Sequence, residues 1–259
     1  MSKSLAGKRI VITRAASQSA DFASMIKEAG GIPILFPTIE IEPIPDNPEL
    51  DTALQDLDQY DWVVFTSANG VRIVLDRIER LGIGLSALPT HIAVIGPGTE
   101  LALKERNLRV DLLPKEYVAE DLFDTLLLRT TVEGKRFLLM RADSARPVLR
   151  EKLIEYGAQV SEVPVYRTRK GSPGVDAYTE LRAGVDIITF TSSSTVKNFS
   201  EILGDEAKAI VQKAAVACIG PITAKTAREM GFEVAILADV HDVDGLLKHL
   251  EFYYRRLAQ

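Results

Sequence analysis

Short apolar runs, often β-branched, alternate with longer amphipathic stretches along the first half of the chain. The runs at 10–12, 32–36, 62–65 and 92–95 have the composition of fully buried parallel strands. Between the first two lies "SADFASMIKEAGG", whose periodicity predicts a helix that ends at the Gly pair. This alternation predicts an α/β fold, in which each parallel sheet carries helices on both faces in a flavodoxin-like layer.

The same succession of segments occurs twice. "KRIVITRA" at 8–15 corresponds to "KRFLLMRA" at 135–142, an offset of 127 positions. "IGPGTELALKERNLRV" at 95–110 corresponds to "IGPITAKTAREMGFEV" at 219–234, an offset of 124. Because the matched segments keep their order and nearly their spacing, the sequence indicates a duplicated unit of about 125 residues.

Hydroxyl and glycine residues follow the predicted strands in both halves. "FTS" closes an apolar run at 65–67 and again at 190–192. Ligands of open α/β sheets bind beyond the carboxyl ends of the strands, where the first amides of each helix are unpaired and partly positive. Glycine there lets a ligand approach the backbone, and proline stiffens the turn. We therefore expect an anion-binding rim, and its candidate residues are Thr66, Ser67, Gly96, Pro97, Gly98, Thr191, Ser192, Ser193, Gly220, Pro221 and Thr223.

These motifs also have a structural interpretation. Ser67 and Ser192 follow strands, where serine commonly caps a helix, and a duplication copies a cap as readily as a ligand site. Gly96-Pro97-Gly98 resembles the start of a dinucleotide fingerprint, but Leu101 stands where the third glycine is expected. No GxxxxGK[ST] loop occurs either. A nucleotide phosphate is therefore not the expected ligand.

Basic residues gather at the predicted strand ends, although the chain carries a net charge of −5. Arg14 and Arg141 follow the first strand of each half at equivalent positions, and Arg146 lies nearby in sequence. Arginine suits bidentate recognition of carboxylates, so this concentration favours a cleft for a polycarboxylate. Solvated surface charge is the alternative for each of them, and it also applies to the other candidates, Arg167, Arg169, Lys170 and Lys197.

Composition excludes several classes of protein. The 259 residues suffice for two domains, and the net negative charge argues against a nucleic-acid partner. Cys218 is the lone cysteine, which excludes an internal disulfide and fits a reducing compartment. The chain has no apolar run of about 18 residues and no secretory leader in its first residues, so we expect a cytoplasmic protein without membrane contact. A monomer is the default expectation.

Metal and nucleophile signatures are equally sparse. His91, His241 and His249 lack metal-ligand spacing, so no metal is expected and structural roles are favoured for them. The acidic "ADVHDVDG" could imitate a cation site, but an aspartate N-cap explains it more simply. No GxSxG elbow and no Cys–His pairing occurs.

One tyrosine is a candidate proton donor. Tyr166 lies in "VPVYRT" at 163–168, which corresponds to "FPTIEI" at 36–41. Because Pro37 and Pro164 disfavour helix, both segments are predicted to be extended crossings between the halves. The phenol of Tyr166 could donate a proton into a cleft, or the ring could simply pack.

Together, "FTSANGV", "IGPGT", "VPVYRT", "TFTSSSTV" and "IGPITAKTARE" resemble the uroporphyrinogen-III synthase family, in order and over essentially the whole chain. The resemblance implies two flavodoxin-like domains that do not coincide with the repeats, one built from 1–37 plus 168–259 and the other from 38–167. Two extended crossings near 36–40 and 163–168 would link them, and clamshell opening is expected.

The resemblance also implies an activity. A lyase of this family converts the linear tetrapyrrole hydroxymethylbilane to uroporphyrinogen III, with loss of water, ring closure and inversion of ring D. It needs no cofactor. Substrate contacts are implied for the rim, with Arg14, Arg141 and Arg146 as carboxylate partners and Tyr166 as the catalytic proton donor.

Two further points follow from the same resemblance. The paired loops "FTSANGV" and "FTSSSTV" would face one another across the cleft, and the preceding enzyme of the pathway could make transient contact. The alternative is a non-catalytic cytosolic clamshell that binds a polycarboxylate metabolite.

Overall fold

The computed structural model describes residues 4–85, 88 and 91–257. The chain forms two compact units. Unit 1 joins the chain up to Glu40 to the chain from Arg169 onward, and unit 2 is Ile41–Thr168. Residues 1–3, which are part of the stretch expected to lack a leader, lie outside the described residues.

Unit 2 is built on a sheet with the strand order β3-β7-β6-β4-β5. Its central strands pair in parallel, β4 with β5 and β6, and β6 with β7. The strands are β3 (Ile39–Pro43), β4 (Trp62–Phe65), β5 (His91–Val94), β6 (Arg136–Ala142) and β7 (Gln159–Lys170), and the ends of β3 and β7 extend into unit 1. The helices are α2 (Pro48–Gln55), α3 (Ala68–Arg80), α4 (Pro97–Lys104), α5 (Ala119–Arg129) and α6 (Val148–Glu155).

Alternate residues of the unit 2 strands pack into two separate hydrophobic clusters, one on each face of the sheet. Val63 and Phe65 belong to the cluster shared with α2, α3 and α4. Trp62 and Val64, from the same strand, belong to the cluster shared with α5 and α6. Successive side chains of a strand point to opposite faces, so a sheet covered by helices on both sides needs strands that are apolar throughout.

Unit 1 has the strand order β10-β9-β8-β1-β2, with parallel pairing throughout. Its helices also cover both faces of the sheet. The strands are β1 (Arg9–Ile12), β2 (Ile32–Leu35), β8 (Ile187–Phe190), β9 (Ala215–Cys218) and β10 (Val234–Leu237). The helices are α1 (Ala20–Glu28), α7 (Val175–Arg182), α8 (Ser193–Leu203), α9 (Glu206–Val211), α10 (Pro221–Glu229) and α11 (Val243–Leu257).

The prediction of a fully buried strand at 32–36 is wrong. Ile32 is 46% exposed and Leu35 is 47% exposed. The reason is topological, because β2 lies at the edge of its sheet and has a neighbour on one side only. The helix before it ends as expected near the Gly pair, with Ala29 at the C-cap and Gly30 at a φ of 90°.

The two repeats contribute to both sheets. In unit 2, the paired strands β4 and β5 come from the first repeat and β6 and β7 from the second, and β4 pairs with β6 to join them. In unit 1, β8 and β9 of the second repeat lie beside β1 and β2 of the first. Each sheet therefore combines half of one repeat with half of the other.

The two segments predicted as crossings are extended, as their prolines predict. Three residues beyond the second of them, at Gly171, the chain contacts Thr38 of the first, within unit 1. Thr38 is fully buried, and its N–H donates to Thr13 O at 3.0 Å. Its carbonyl accepts the Gly171 N–H at 2.9 Å and Asn198 Nδ2 at 2.8 Å. A Cβ added to Gly171 would lie 2.8 Å from Ile39 N, so only glycine allows the two segments to approach so closely.

Candidate functional site

The strand-end loop after β4 brings Ser67 and Tyr166 together in unit 2. Ser67 is the N-cap of α3, and its Oγ accepts the Gly70 N–H at 3.1 Å. The same Oγ lies 2.9 Å from the phenol oxygen of Tyr166. The capping role considered for Ser67 is therefore observed, and it coexists with a contact to the candidate proton donor.

A β-bulge directs Tyr166 toward Ser67. In the β6–β7 pairing, Arg141 is opposite Pro164 and Ala142 is opposite Tyr166, so Val165 is an extra residue on β7. Adjacent residues of a regular strand face opposite sides of the sheet, but Val165 and Tyr166 both belong to the core cluster that includes α3. The bulge thus turns Tyr166 to the face on which Ser67 caps α3, and the ring is 6% exposed.

The first turn of α3 is packed closely against the strands behind it. A Cβ on Gly70 would lie 3.3 Å from Met140 O and 3.4 Å from Ser67 Oγ. Asn47 supports the same region, because its Nδ2 donates to Pro164 O at 2.7 Å while its Oδ1 caps α2. The position of Tyr166 is consequently fixed from both the helix and the strand side.

The Gly-Pro motifs cap helices in both units. Gly96 is the N-cap of α4 and Gly220 is the N-cap of α10, each followed by a proline at the first helical position. Pro97 has no N–H, so Gly98 carries the first amide of α4. A Cβ on Gly98 would meet no atom within 4 Å, which leaves space for a ligand beside this amide.

Two aromatic side chains outside the predicted rim lie against these caps, namely Tyr117 and His241, the latter expected to have a structural role. A Cβ on Gly96 would be 3.9 Å from Tyr117 Cβ, and one on Gly220 would be 3.3 Å from the ring of His241. Tyr117 and His241 are both exposed and are 124 positions apart, the same offset as Gly96 and Gly220. Extending the repeat alignment past the Gly-Pro motif is the signal that would have found them.

The hydroxyls of the second strand-end loop, in unit 1, bond to one another and to α10. Ser192 caps α8 in a capping box with Thr195, in which each backbone N–H donates to the other's side-chain oxygen, at 3.2 and 3.3 Å. Ser192 Oγ also lies 2.9 Å from Ser194 Oγ, and Ser193 Oγ lies 2.7 Å from Thr226 Oγ1. Thr191 and Ser193 are partly exposed, so hydroxyls remain accessible at this strand end.

Thr66 and Pro221 lie at the strand ends as predicted, the former directly after β4 and the latter at the start of α10. Thr223 differs from the expectation of an exposed rim residue. It is 4% exposed and packs within α10, as its counterpart Thr99 does in α4 at 5%. Both are the third residue of their helix, in its first turn, and both side chains are buried.

The arginines differ most from the sequence expectation. Arg141 lies within β6 rather than after it, is 3% exposed, and pairs with Glu162 at 2.7 Å. Arg146 is exposed but forms two bonds to Glu120, at 2.8 and 3.1 Å, which lower the pKa of that carboxyl. Arg14 is half-buried and engaged in interactions within the protein. Positive charge at these strand ends is therefore largely paired with carboxylates.

Other predicted basic residues follow the same rule. Arg167 Nε lies 3.8 Å from Asp143 Oδ2, and Lys170 Nζ lies 3.4 Å from Glu201 Oε2. Such exposed pairs are weak and exchange readily with an anionic ligand, since each is worth only about 0–1 kcal/mol.

The histidines and acidic residues have structural partners. His91 begins β5 and stacks on Trp62 with ring centroids 4.7 Å apart, and His249 bonds to Gly245 O at 2.9 Å. Asp242 Oδ1 accepts the Gly245 N–H at 2.7 Å, which is the aspartate cap expected for the acidic stretch. Within residues 4–85, 88 and 91–257, no group of three His, Cys, Asp or Glu could hold a metal ion. Among the described helices, none is long and apolar enough to cross a membrane.

Comparison with known proteins identifies the family. The sequence model described as "Uroporphyrinogen-III synthase HemD" matches residues 20–248. The chain belongs to the uroporphyrinogen-III synthase family. It is 36% identical over 259 residues to a uroporphyrinogen-III synthase from Synechococcus elongatus, and the match covers 97% of each chain.

Solved structures of the family share the fold. A mutant uroporphyrinogen III synthase from the extremely thermophilic bacterium Thermus thermophilus superposes with a TM-score of 0.65 at 22% identity, covering 96% of this chain and 100% of that one. The enzyme from Helicobacter pylori gives a TM-score of 0.57 at 17% identity, covering 93% and 97%. The predicted α/β fold with parallel sheets and helices on both faces is confirmed.

Proposed function

We propose that this protein is a uroporphyrinogen-III synthase, a lyase that cyclises hydroxymethylbilane with loss of water and inversion of ring D. Family membership supports the reaction, and the hydrogen bond between Ser67 and Tyr166 at a strand end is the observation that carries its mechanism. The two compact units are proposed as the two domains, in place of the sequence repeats. The protein is proposed to act in the cytoplasm as a monomer without a cofactor, with transient contact to the preceding enzyme.

The first chemical step is loss of the hydroxyl on ring A. We assign Tyr166 as the acid that protonates this hydroxyl, so that it leaves as water and a protonated azafulvene remains. The ring-A N–H then returns a proton to the phenolate, which leaves the neutral azafulvene. If Ser67 donates its own proton to the phenol oxygen, Tyr166 keeps its O–H for the substrate, and Ser67 then stabilises the phenolate. The Gly70 N–H, which donates to Ser67 Oγ, orients that hydroxyl.

The later steps depend on positioning. The substituted α-carbon of ring D attacks the azafulvene methylene to give a spiro-pyrrolenine. The bond from that carbon to the ring-C methylene then breaks, and the methylene recloses on the unsubstituted α-carbon of ring D, which loses its proton. Pyrroles are electron-rich and supply much of this reactivity themselves, so the protein's task is to hold rings A and D in the spiro geometry. This explains why a site of hydroxyls, amides and one phenol is sufficient.

The substrate's eight carboxylates match the chemistry of the strand-end loops. In unit 2 the amide of Gly98 and the hydroxyl of Thr66 are suited to bind them, and in unit 1 the hydroxyls of Thr191 and Ser193 are. Arg146 and Arg167, which form exposed ion pairs, can exchange their partners for substrate carboxylates.

The proposal is tested with freshly generated hydroxymethylbilane. Products are oxidised to porphyrins and the type I and type III isomers are separated chromatographically. We expect the protein to convert the substrate chiefly to the type III isomer, whereas buffer alone yields type I by uncatalysed closure. Tight binding with an unchanged isomer ratio would reject the synthase and favour a non-catalytic polycarboxylate binder.

A further inference from the structure

Arg141 is the most completely buried of the candidate arginines, and each of its three guanidinium nitrogens donates a hydrogen bond. Nε and Nη2 donate to Glu162 Oε1 at 3.1 and 2.7 Å, and Nη1 donates to the backbone carbonyl of Arg146 at 2.7 Å. The side chain is 4% exposed. The second carboxylate oxygen of Glu162 is buried and lies 3.5 Å from Arg150 Nε.

The carbonyl that Arg141 binds belongs to the loop between β6 and α6. This loop, 143–147, lies at the carboxyl end of β6 and is tied to Tyr166 at its start, since the Asp143 N–H donates to Tyr166 O at 3.0 Å. Near its other end, the Arg146 side chain is held by Glu120 in the first turn of α5. Arg141 thus fixes a loop whose first residue is bonded to the backbone of the candidate acid.

Burial alone does not require an ion pair at this position. Phe137 and Leu139 of the same strand fill the same face of the sheet with apolar side chains. Replacing a buried ion pair with apolar residues of similar volume is often neutral for stability, because the desolvation cost offsets the attraction. Unlike an apolar side chain, the planar guanidinium of Arg141 fixes the positions of two acceptors at once, the Glu162 carboxylate on β7 and the Arg146 carbonyl in the loop.

We propose that Arg141 is a positioning residue, which holds loop 143–147 in register with β7 and thereby fixes the backbone of Tyr166. It acts through Glu162 and the Arg146 carbonyl, and so through the loop that begins at Asp143, and does not touch the substrate. The geometric part of this inference is independent of the enzyme's activity, whereas its effect on turnover rests on the proposed function.

Hydrogen exchange tests the geometric part without turnover. In Arg141→Lys, and in the double variant Arg141→Met with Glu162→Met, we expect the Asp143 amide to exchange about tenfold faster or more. The double variant leaves no buried charge unpaired, because Arg150, the other partner of Glu162, is 47% exposed. Amides in the centre of β6 should keep their wild-type protection. Arg77→Lys is the matched control, because Arg77 makes a comparable pair with Asp51, at 2.6 Å, elsewhere in unit 2. Unchanged exchange at Asp143 in both Arg141 variants would overturn the proposal.

Kinetics test the link to Tyr166. Arg141→Lys should lower kcat about tenfold with KM within about twofold of wild type, and this loss should largely disappear in a Tyr166→Phe background. A raised KM with unchanged kcat would instead make Arg141 a substrate ligand and reject the proposal, as would losses that simply add. If wild type itself gives no type III isomer, the proposed function fails, and the exchange measurement alone decides on Arg141.

Discussion

Asp61 and Arg136 are joined by reciprocal hydrogen bonds at the starts of two adjacent strands. Asp61 Oδ2 accepts the Arg136 N–H at 2.8 Å, and the Asp61 N–H donates to Arg136 O at 2.9 Å. Asp186 and Arg9 repeat both bonds in unit 1, at 2.8 and 2.9 Å. Each aspartate precedes a strand of one repeat and holds the first strand of the other, so this contact joins the exchanged halves in both units.

Removing this aspartate should destabilise the protein. In Asp61→Ala the Arg136 N–H loses its acceptor and Lys135, 2.7 Å from Asp61 Oδ1, loses its ion-pair partner. We expect the free energy of unfolding to fall by about 1–3 kcal/mol, measured by urea denaturation. Asp58→Ala, at an exposed position in the neighbouring turn, is the control and should change it by less than about 0.5 kcal/mol. Equal effects would show that the reciprocal bonds contribute nothing specific.

The same contact should make stability depend on pH. The hydrogen bond from Arg136 and that from Lys135 hold the pKa of Asp61 below its ordinary value of 3.8. A depressed carboxyl pKa stabilises the fold above the unfolded pKa of about 3.9, and this contribution is lost as pH falls through the lower, folded value. The difference in unfolding free energy between wild type and Asp61→Ala should therefore be constant near pH 6 and shrink below about pH 4. A difference that does not shrink as pH falls below about 4 would contradict this assignment.

Tyr166→Phe should lower synthase activity without abolishing it. The ring stays in the core, but the hydroxyl that bonds to Ser67 is lost, so type III formation should slow by about 100-fold, the low end for general acid catalysis. Ser67→Ala, which keeps the phenol, should cost less. Stopped assays with isomer separation measure both. Complete inactivity of folded Tyr166→Phe would mean that the substrate supplies less of the chemistry than we propose, and full activity would remove Tyr166 as the acid.

Gly171→Ala should destabilise unit 1 through its crossing segments. The new methyl would collide with Pro37 O and lie 2.8 Å from Ile39 N, both backbone atoms that cannot move independently. We expect a loss of about 2–3 kcal/mol in unfolding free energy, typical of overpacking. Gly174→Ala is a matched control three residues away, since a Cβ there meets nothing within 4 Å. Similar stability of the two variants would show that the segments separate without cost.

Cys218 should be unreactive in the folded protein. It is fully buried in β9, and burial raises the pKa of its thiol to about 12. The thiolate is the reactive form, so Ellman's reagent at about pH 8 should react about 100-fold more slowly with native protein than with protein in urea. Because this is the one cysteine of the chain, the signal has a single source. Rapid native reaction would indicate that β9 opens locally.

The sequence predicted the fold from its periodicity but not the burial of every strand. The apolar runs before Thr66 and Thr191 form the interior strands β4 and β8, and both are buried as predicted. The run that contains Ile32 and Leu35 is equally apolar, but it forms the edge strand β2 and is partly exposed. An apolar composition shows that a strand can be buried, but its place in the sheet depends on contacts between segments that are distant in sequence. That place could come only from the structure or from the family resemblance.

The candidate site shows a similar division. Sequence placed Ser67 and Tyr166 in the candidate site, but their contact depends on the bulge at Val165. A bulge is defined by the pairing of two strands, so the sequence of one strand does not reveal it. Sequence placed Arg141 after its strand, whereas it lies within β6, and missed that Glu162 neutralises it. An arginine after a strand looks the same whether it faces solvent or a buried carboxylate on the next strand.

The exchange of repeat halves has a consequence for how the chain is made on the ribosome. Unit 2 is a single continuous segment and is complete once Thr168 has emerged. In unit 1, by contrast, the hydrogen bond from Arg9 cannot form until Asp186 is made, 177 residues later. Until then β1 has its neighbour β2 on one side and an open edge on the other, the kind of edge that pairs with foreign strands. The first strand to be synthesised is thus among the last to be enclosed, and the nascent chain is most exposed to misassembly through its earliest segment.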